Sequence, residues 1–231
     1  MISLEKKINV HEGHRSRIDE KVKSIGLDAM PPHEQLEYML YQIIARGNTN
    51  GIAHELLQKF GSLEQVFHAS ERELAAVKGV GSRTAKFLTQ IPAIAGIYQR
   101  AAMGNSIILD TTEKMGEYAT TLFGGKLTEE VYLISLTANK RCLRHDKVSS
   151  GGVSDAPVYV RNVMDCAMAS KAHSVILTHN HPSGELFPSN EDIIVTQKVA
   201  AALTAMDVKF LDHIIVSGNK YISMKKSGII F

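Results

Sequence analysis

The segment Thr178-His179-Asn180-His181-Pro182-Ser183-Gly184 puts two imidazoles one residue apart, just after the apolar run Ser174-Val175-Ile176-Leu177. In an extended strand, alternate residues project to one side, roughly 6.5–7 Å apart, so His179 and His181 can grip a single ion. Open α/β sheets bind ligands at such strand ends. Eleven residues after His181, Asp192 falls on the first turn of the next helix and brings a carboxylate oxygen. Two imidazoles and one carboxylate suit a tetrahedral Zn²⁺ with one position open to water, which is a hydrolytic rather than a structural arrangement. A competing reading is also available. Ser189-Asn190-Glu191-Asp192 before Ile193-Ile194-Val195 is a good helix cap, but capping explains neither histidine. A bound water also needs a proton acceptor. Glu129 and Glu130 precede the strand-like Val131–Leu136; spacing does not choose between them, nor between a base and a solvated acidic pair.

A second motif lies at Leu74–Lys86, where Lys78-Gly79-Val80-Gly81 reads as a tight turn between two helices. Glycines there leave bare N–H groups at a helix start, which suits a phosphate. Lys78, Arg83 and Lys86 supply counter-charge. Such a site contacts backbone rather than bases, so any duplex binding is expected to be sequence-independent and salt-sensitive. The turn also serves as a plain connector of two packed helices.

The elements that must carry these groups follow from periodicity. From Pro31 to about Arg100 apolar residues recur at helical spacing. A helix is expected over His33–Ala45, a second through Ile52, Leu56, Leu57 and Phe60 to Gly61, and a short third from Ser62. A fourth is capped by Ser70 with Glu73 completing a capping box. Near Met103-Gly104-Asn105 the pattern changes. Strands are expected at Val131–Leu136, from the turn Thr137–Lys140 to about Ser149, at His173–Thr178, and as a hairpin of Phe210–Val216 with Tyr221–Ser223. Helices are expected from Pro157 to about Lys171 and over Asp192–Met206. The domains read as a flexible basic arm over 1–24, a helical domain over 25–102 and an α/β domain over 106–231.

Composition narrows the function classes. The 231 residues are 44% hydrophobic and 22% charged, the balance of a soluble globular chain rather than a disordered one. A net charge of +2 is too small to mark a nucleic-acid binder by itself. No apolar run approaches the roughly 18 residues of a membrane span, and the charged start MISLEKKINVHEGHR is unlike a signal peptide. Cys142 and Cys166 form no CxxC pair, which fits a reducing cytoplasm.

The HNHPSG run with its Ser-x-x-Asp partner resembles the JAMM (MPN+) metalloprotease motif. From about Asp28 onward the chain resembles the bacterial RadC family, through Arg46-Gly47-Asn48-Thr49, Lys78-Gly79-Val80-Gly81, Gly151-Gly152-Val153 and Leu211-Asp212-His213-Ile214-Ile215. The resemblance implies a cytidine-deaminase-like JAMM/MPN α/β domain with a mixed sheet, preceded by a small all-α helix-hairpin-helix domain. It implies that His179, His181 and Asp192 hold Zn²⁺, that Glu130 is the base, and that Ser189 hydrogen-bonds a tetrahedral oxyanion. It further implies a peptide or isopeptide substrate; duplex DNA backbone as a partner of the helical module is the expectation from the glycine turn, through Lys78, Gly79, Gly81, Arg83 and Lys86. Thr137 stands where many relatives carry Asp, and Val160-Arg161 follows Pro157 with altered spacing; both bear on substrate contacts rather than on the metal. Asp212-His213 fits the family with its role open between a backbone-bonded strand pair and support of the metal. Two functions from different classes remain: a zinc peptidase or isopeptidase, and a non-enzymatic DNA-associated protein using the same fold as a scaffold. An HNH nuclease is set aside, because its three residues are spread over tens of positions.

Overall fold

Leu36, Leu40, Ala53, Leu56, Leu74, Ala85 and Leu88 are fully buried together, the outcome expected when each apolar helix face is turned inward. They form the core of the first of two units in the computed structural model, which describes residues 14–104, 107–151 and 160–230. The units part between Ile91 and Pro92. The helices are α1 (His14–Ile25), α2 (Pro32–Tyr41), α3 (Thr49–Phe60), α4 (Leu63–His68), α5 (Glu71–Ala75) and α6 (Ser82–Ala102), which crosses the boundary. The capping box of Ser70 with Glu73 is present at α5. Between α5 and α6 the chain turns at Gly79, whose φ of 88° lies in the left-handed region. A Cβ there would also meet Ile52 Cδ1 at 2.7 Å.

Three expectations are corrected here. Residues 14–24 are not a loose arm: α1 buries Ile18, and Tyr41 hydrogen-bonds Asp19. Arg15 donates to the carbonyls of Ile44 (2.8 Å) and Ala45 (3.0 Å). Helix α2 ends at Tyr41 and not at Ala45, although the Ile44 N–H still donates to the Leu40 carbonyl at 2.8 Å. The helical text runs to Ala102, yet the unit boundary falls at Pro92, inside α6. The rest of α6 packs with the second unit. Residues 1–13 and the expected helix start at Pro157 lie outside the described residues, as do Gly152 and Val153.

The second unit is a mixed five-stranded sheet, so the α/β expectation holds. Its strands are β1 (Glu129–Leu136), β2 (Cys142–Gly151), β3 (Ser174–Asn180), β4 (Lys209–Ser217) and β5 (Lys220–Ser223), in the order β2-β1-β3-β4-β5. Only β3 and β4 run parallel; the other neighbours are antiparallel. One face packs Ile134, Ile176 and Ile214 against α7 (Thr112–Thr120), a helix the sequence reading does not single out. The other packs Val131, Leu133, Val175 and Leu177 against α8 (Val160–Ala169) and α9 (Asn190–Thr204). Every residue of β3 is buried, as suits a strand covered on both faces.

Within this unit the second half of α6 lies close against the loop after α7. Arg100 donates to the Thr121 carbonyl, and a Cβ on Gly96 would sit 2.3 Å from that same oxygen. Helix propensity alone favours Ala over Gly by ~1 kcal/mol. Because the obstacle is backbone, Gly96→Ala is expected to reverse that sign and cost ~1–3 kcal/mol, as overpacking does. Denaturant unfolding of the full chain measures it, and a stabilised variant would contradict the close approach.

Candidate metal centre

β3 delivers both histidines because its odd residues, Val175, Leu177 and His179, face α8 and α9, and His181 continues that alternation. The strand pairing extends past Asn180, with the His181 N–H donating to the Val216 carbonyl at 2.8 Å. From the covering layer, α9 brings Asp192 on its first turn. A capping box fixes that turn: the Asp192 N–H donates to Ser189 Oγ at 3.1 Å, and the Ser189 N–H and hydroxyl both donate to Asp192 Oδ2, at 2.8 and 2.7 Å. Asp192 Oδ1 is left facing His179 Nε2 at 3.3 Å. Ser189 is thus a helix cap that also orients a carboxylate. The helix cap and the carboxylate turned to the histidines, two competing readings of the sequence, coexist in one turn.

The protonation pattern follows from the hydrogen-bond partners. Thr196 Oγ1 donates to the Asp192 carbonyl at 2.6 Å, so at its 2.6 Å contact with His213 it accepts from Nδ1–H. His213 Nε2 is then bare and accepts from His179 Nδ1–H at 2.8 Å. His181 Nδ1 faces the Glu185 carbonyl at 3.0 Å, an acceptor, and must donate. Both Nε2 atoms therefore present lone pairs to each other across only 2.8 Å. Two converging lone pairs with a carboxylate beside them require a proton or a metal cation, and the donor set suits a metal. The open question over Asp212-His213 resolves in two halves. His213 bonds side chains rather than backbone and holds the His179 tautomer. Asp212 turns elsewhere, to the Ser223 hydroxyl and the N–H groups of Lys225 (3.1 Å) and His213 (2.8 Å).

Charge follows burial. Desolvation pushes the His179 pKa down to about 4, with Asp192 opposing and His181 adding to the shift, so His179 is neutral near pH 7. His213, fully enclosed, is lowered for the same reason. Asp192, which accepts from Nε2 once the ring is protonated, raises His181 despite its partial burial. Burial would raise Asp192, but His181, His179 and Ser189 outweigh it and hold the carboxyl well below the usual range.

The fourth member is Glu129. Glu129, His179, His181 and Asp192 each offer one atom, all within 4.8 Å of one another. Desolvation raises the Glu129 pKa, and Asp192 adds to this while His181 opposes it. Glu130, which the family resemblance makes the base, is corrected: it lies on the opposite face of β1. Val131 pairs directly with His179, so Glu129, two residues from Val131, shares the histidines' face, and Glu130 shares that of Tyr132. There Glu130 accepts from the Tyr132 hydroxyl at 2.9 Å and pairs with Lys126 at 3.2 Å and Lys147 at 3.6 Å. In the first unit, Lys78, Gly79, Gly81, Arg83 and Lys86 are all exposed around one turn, while Val80 and Thr84 between them are buried.

Metal content measured per purified chain should be near one after loading with a divalent cation, and small in His179→Ala or Asp192→Ala. Full occupancy of both variants would refute the ligand set. Affinity should fall on acidification, because a ligating imidazole must be deprotonated. With its pKa raised, His181 takes up a competing proton at higher pH than free imidazole, whose value is about 6.5. Titrations between pH 8 and 5 would show this.

The family model for the RadC-like JAB domain matches residues 109–229. The chain is 33% identical over 227 residues to UPF0758 protein FN0909 of Fusobacterium nucleatum subsp. nucleatum, covering 95% of this chain and 98% of that protein. It is 30% identical over 217 residues to UPF0758 protein SPO0054 of Ruegeria pomeroyi, covering 94% and 97%. With the domain matched and the likeness extending through the helical unit, the chain belongs to the RadC family.

Proposed function

We propose that this chain is a zinc-dependent hydrolase of the JAMM type that cleaves a peptide or isopeptide bond, with Glu129 as the base. At the level of the family, a JAB domain with a group able to hold a metal ion supports a JAMM-type hydrolase. The finer reading rests on one observation: the bare Nε2 atoms of His179 and His181 converge beside Asp192, with Glu129 on the same side. When bound, zinc supplies an acidified water and polarises a carbonyl.

The residues divide the remaining work. When neutral, His179 and His181 both present Nε2 lone pairs, because the Nδ1–H of each is tied to an acceptor. Glu129 takes a proton from the attacking water and returns it to the departing amine; desolvation raises its pKa toward the range useful to a base near neutral pH. Ser189 can turn its hydroxyl to a tetrahedral oxygen, because its N–H continues to hold Asp192 Oδ2 when the hydroxyl leaves. The two thiols, Cys142 and Cys166, are both free, and a reducing cytoplasm suits them. Among the described residues, no helix is long and apolar enough to cross a membrane.

Glu129→Gln should keep the metal and lower turnover of a peptide and lysine-isopeptide library by ~10²-fold or more, the usual scale of general-base loss. Glu130→Gln should change turnover only a few-fold. Undiminished turnover in Glu129→Gln would end the assignment. Absence of amide cleavage by zinc-loaded protein would favour the scaffold reading.

A second reading, duplex DNA binding by the helical unit, is favoured by Gly81. A Cβ there would meet nothing within 4 Å, so packing does not demand glycine, whereas close approach of a phosphate does. Arg83→Glu with Lys86→Glu should weaken duplex binding equally across sequences and flatten its salt dependence. Unchanged binding would reduce the turn to a connector.

A further inference from the structure

The residue between the two histidines is 4% exposed, and its amide does not face the metal ligands. Asn180 Oδ1 accepts from the Glu130 N–H at 2.8 Å, and Asn180 Nδ2 donates to the Thr128 carbonyl at 3.1 Å. These two backbone groups belong to the peptide units on either side of the Glu129 Cα. The β1–β3 pairing ends at Val131 opposite His179, and the His181 N–H bonds β4 instead. Strand β3 therefore supplies these groups with a side chain where its ladder has stopped. A carboxamide is the side chain that can do so, since it carries a donor and an acceptor in one plane, as a peptide unit does.

We infer that Asn180 is a positioning residue for Glu129: it clamps both peptide units flanking that residue and so sets its carboxylate against the metal centre. The inference rests on the reading of Glu129 as the base. With each flanking peptide planar and held, the freedom left to the carboxylate is that of its own side-chain torsions. The alternation His-Asn-His thereby does two jobs on one strand. Its outer residues hold the metal, and its middle residue holds the start of the strand that carries the base. The carboxamide of Asn180 is taken up by these two backbone groups.

The test uses the full chain loaded with zinc and compares Asn180→Ala, Asn180→Asp, Glu129→Gln and the Asn180→Ala/Glu129→Gln double variant. Asn180→Asp keeps the acceptor for the Glu130 N–H and loses the donor to Thr128, so it separates the clamp from mere filling of space. In Asn180→Ala we expect about one zinc per chain and hydrogen exchange at the Glu130 amide at least tenfold faster, with exchange in central β3 unchanged. Turnover should fall at least tenfold in kcat with KM little altered. Asn180→Asp should fall between parent and Ala. The double variant should be no slower than Glu129→Gln alone, because a residue acting through another has nothing left to position.

Loss of zinc in both Asn180 variants would overturn the inference in favour of a role in metal binding, and unchanged exchange at Glu130 would overturn the clamp. Losses that multiply in the double variant would show that Asn180 does not act through Glu129. The base reading fails separately, if Glu129→Gln alone leaves kcat intact. The positioning inference fails by itself if Glu129→Gln is slow while Asn180→Ala frees the Glu130 amide at full turnover.

Discussion

Two imidazole nitrogens 2.8 Å apart, both stripped of hydrogen by what their rings bond on the far side, cannot be left uncompensated in a buried site. Much of the second unit can be traced to that constraint. The Thr196–His213–His179 chain spends two buried polar groups to keep one nitrogen bare. A neutral histidine bonded to a backbone carbonyl could do the same, as His181 does with Glu185. Using His213 places the tautomer of a β3 ligand under the control of β4 and α9. Three elements then agree on the state of one ring, and a cation seated there ties the same elements together, so binding it adds to the folding stability of this unit.

The first turn of α9 shows how closely folding and chemistry are joined. An N-cap contributes ~1 kcal/mol by satisfying a backbone N–H, and Ser189 with Asp192 does this reciprocally. Because the capping box occupies Asp192 Oδ2, the other oxygen is turned to His179. The device that starts the helix also aims the ligand. Any substitution of Asp192 therefore removes a cap along with the carboxylate beside the histidines, and stability has to be measured beside metal content before either loss is assigned.

The parts of this centre that the sequence displays are those set by local geometry. His179, His181 and Asp192 are legible because a two-residue strand repeat and a helix first turn carry their directions with them. Glu129 is not, since choosing it over Glu130 needs the register of β1 on β3, a non-local property. Alternation cannot reveal that register either: β1 is covered on both faces, and Val131, Leu133, Tyr132 and Ile134 are apolar alike. The same limit hides α7, which is short and ends without a glycine. Ile18 and the contacts of α1 are likewise tertiary, so a segment rich in charge reads as a loose arm although half of it is helix.

Separating the acid from the ligands has a chemical consequence. The three groups that converge most closely come from the end of β3 and the start of α9, which are joined by one loop, whereas Glu129 lies far earlier in the chain, on β1. Under the proposed function, metal retention and proton transfer would depend on different parts of the fold, and the join between them is the end of one strand pairing. There the backbone ladder has run out and Asn180 spans the gap. Under the proposed function, such a centre would keep its metal while losing its base through a shift of about 1 Å in β1. General-base catalysis is sensitive to that scale of displacement, and metal affinity, fixed elsewhere, is not.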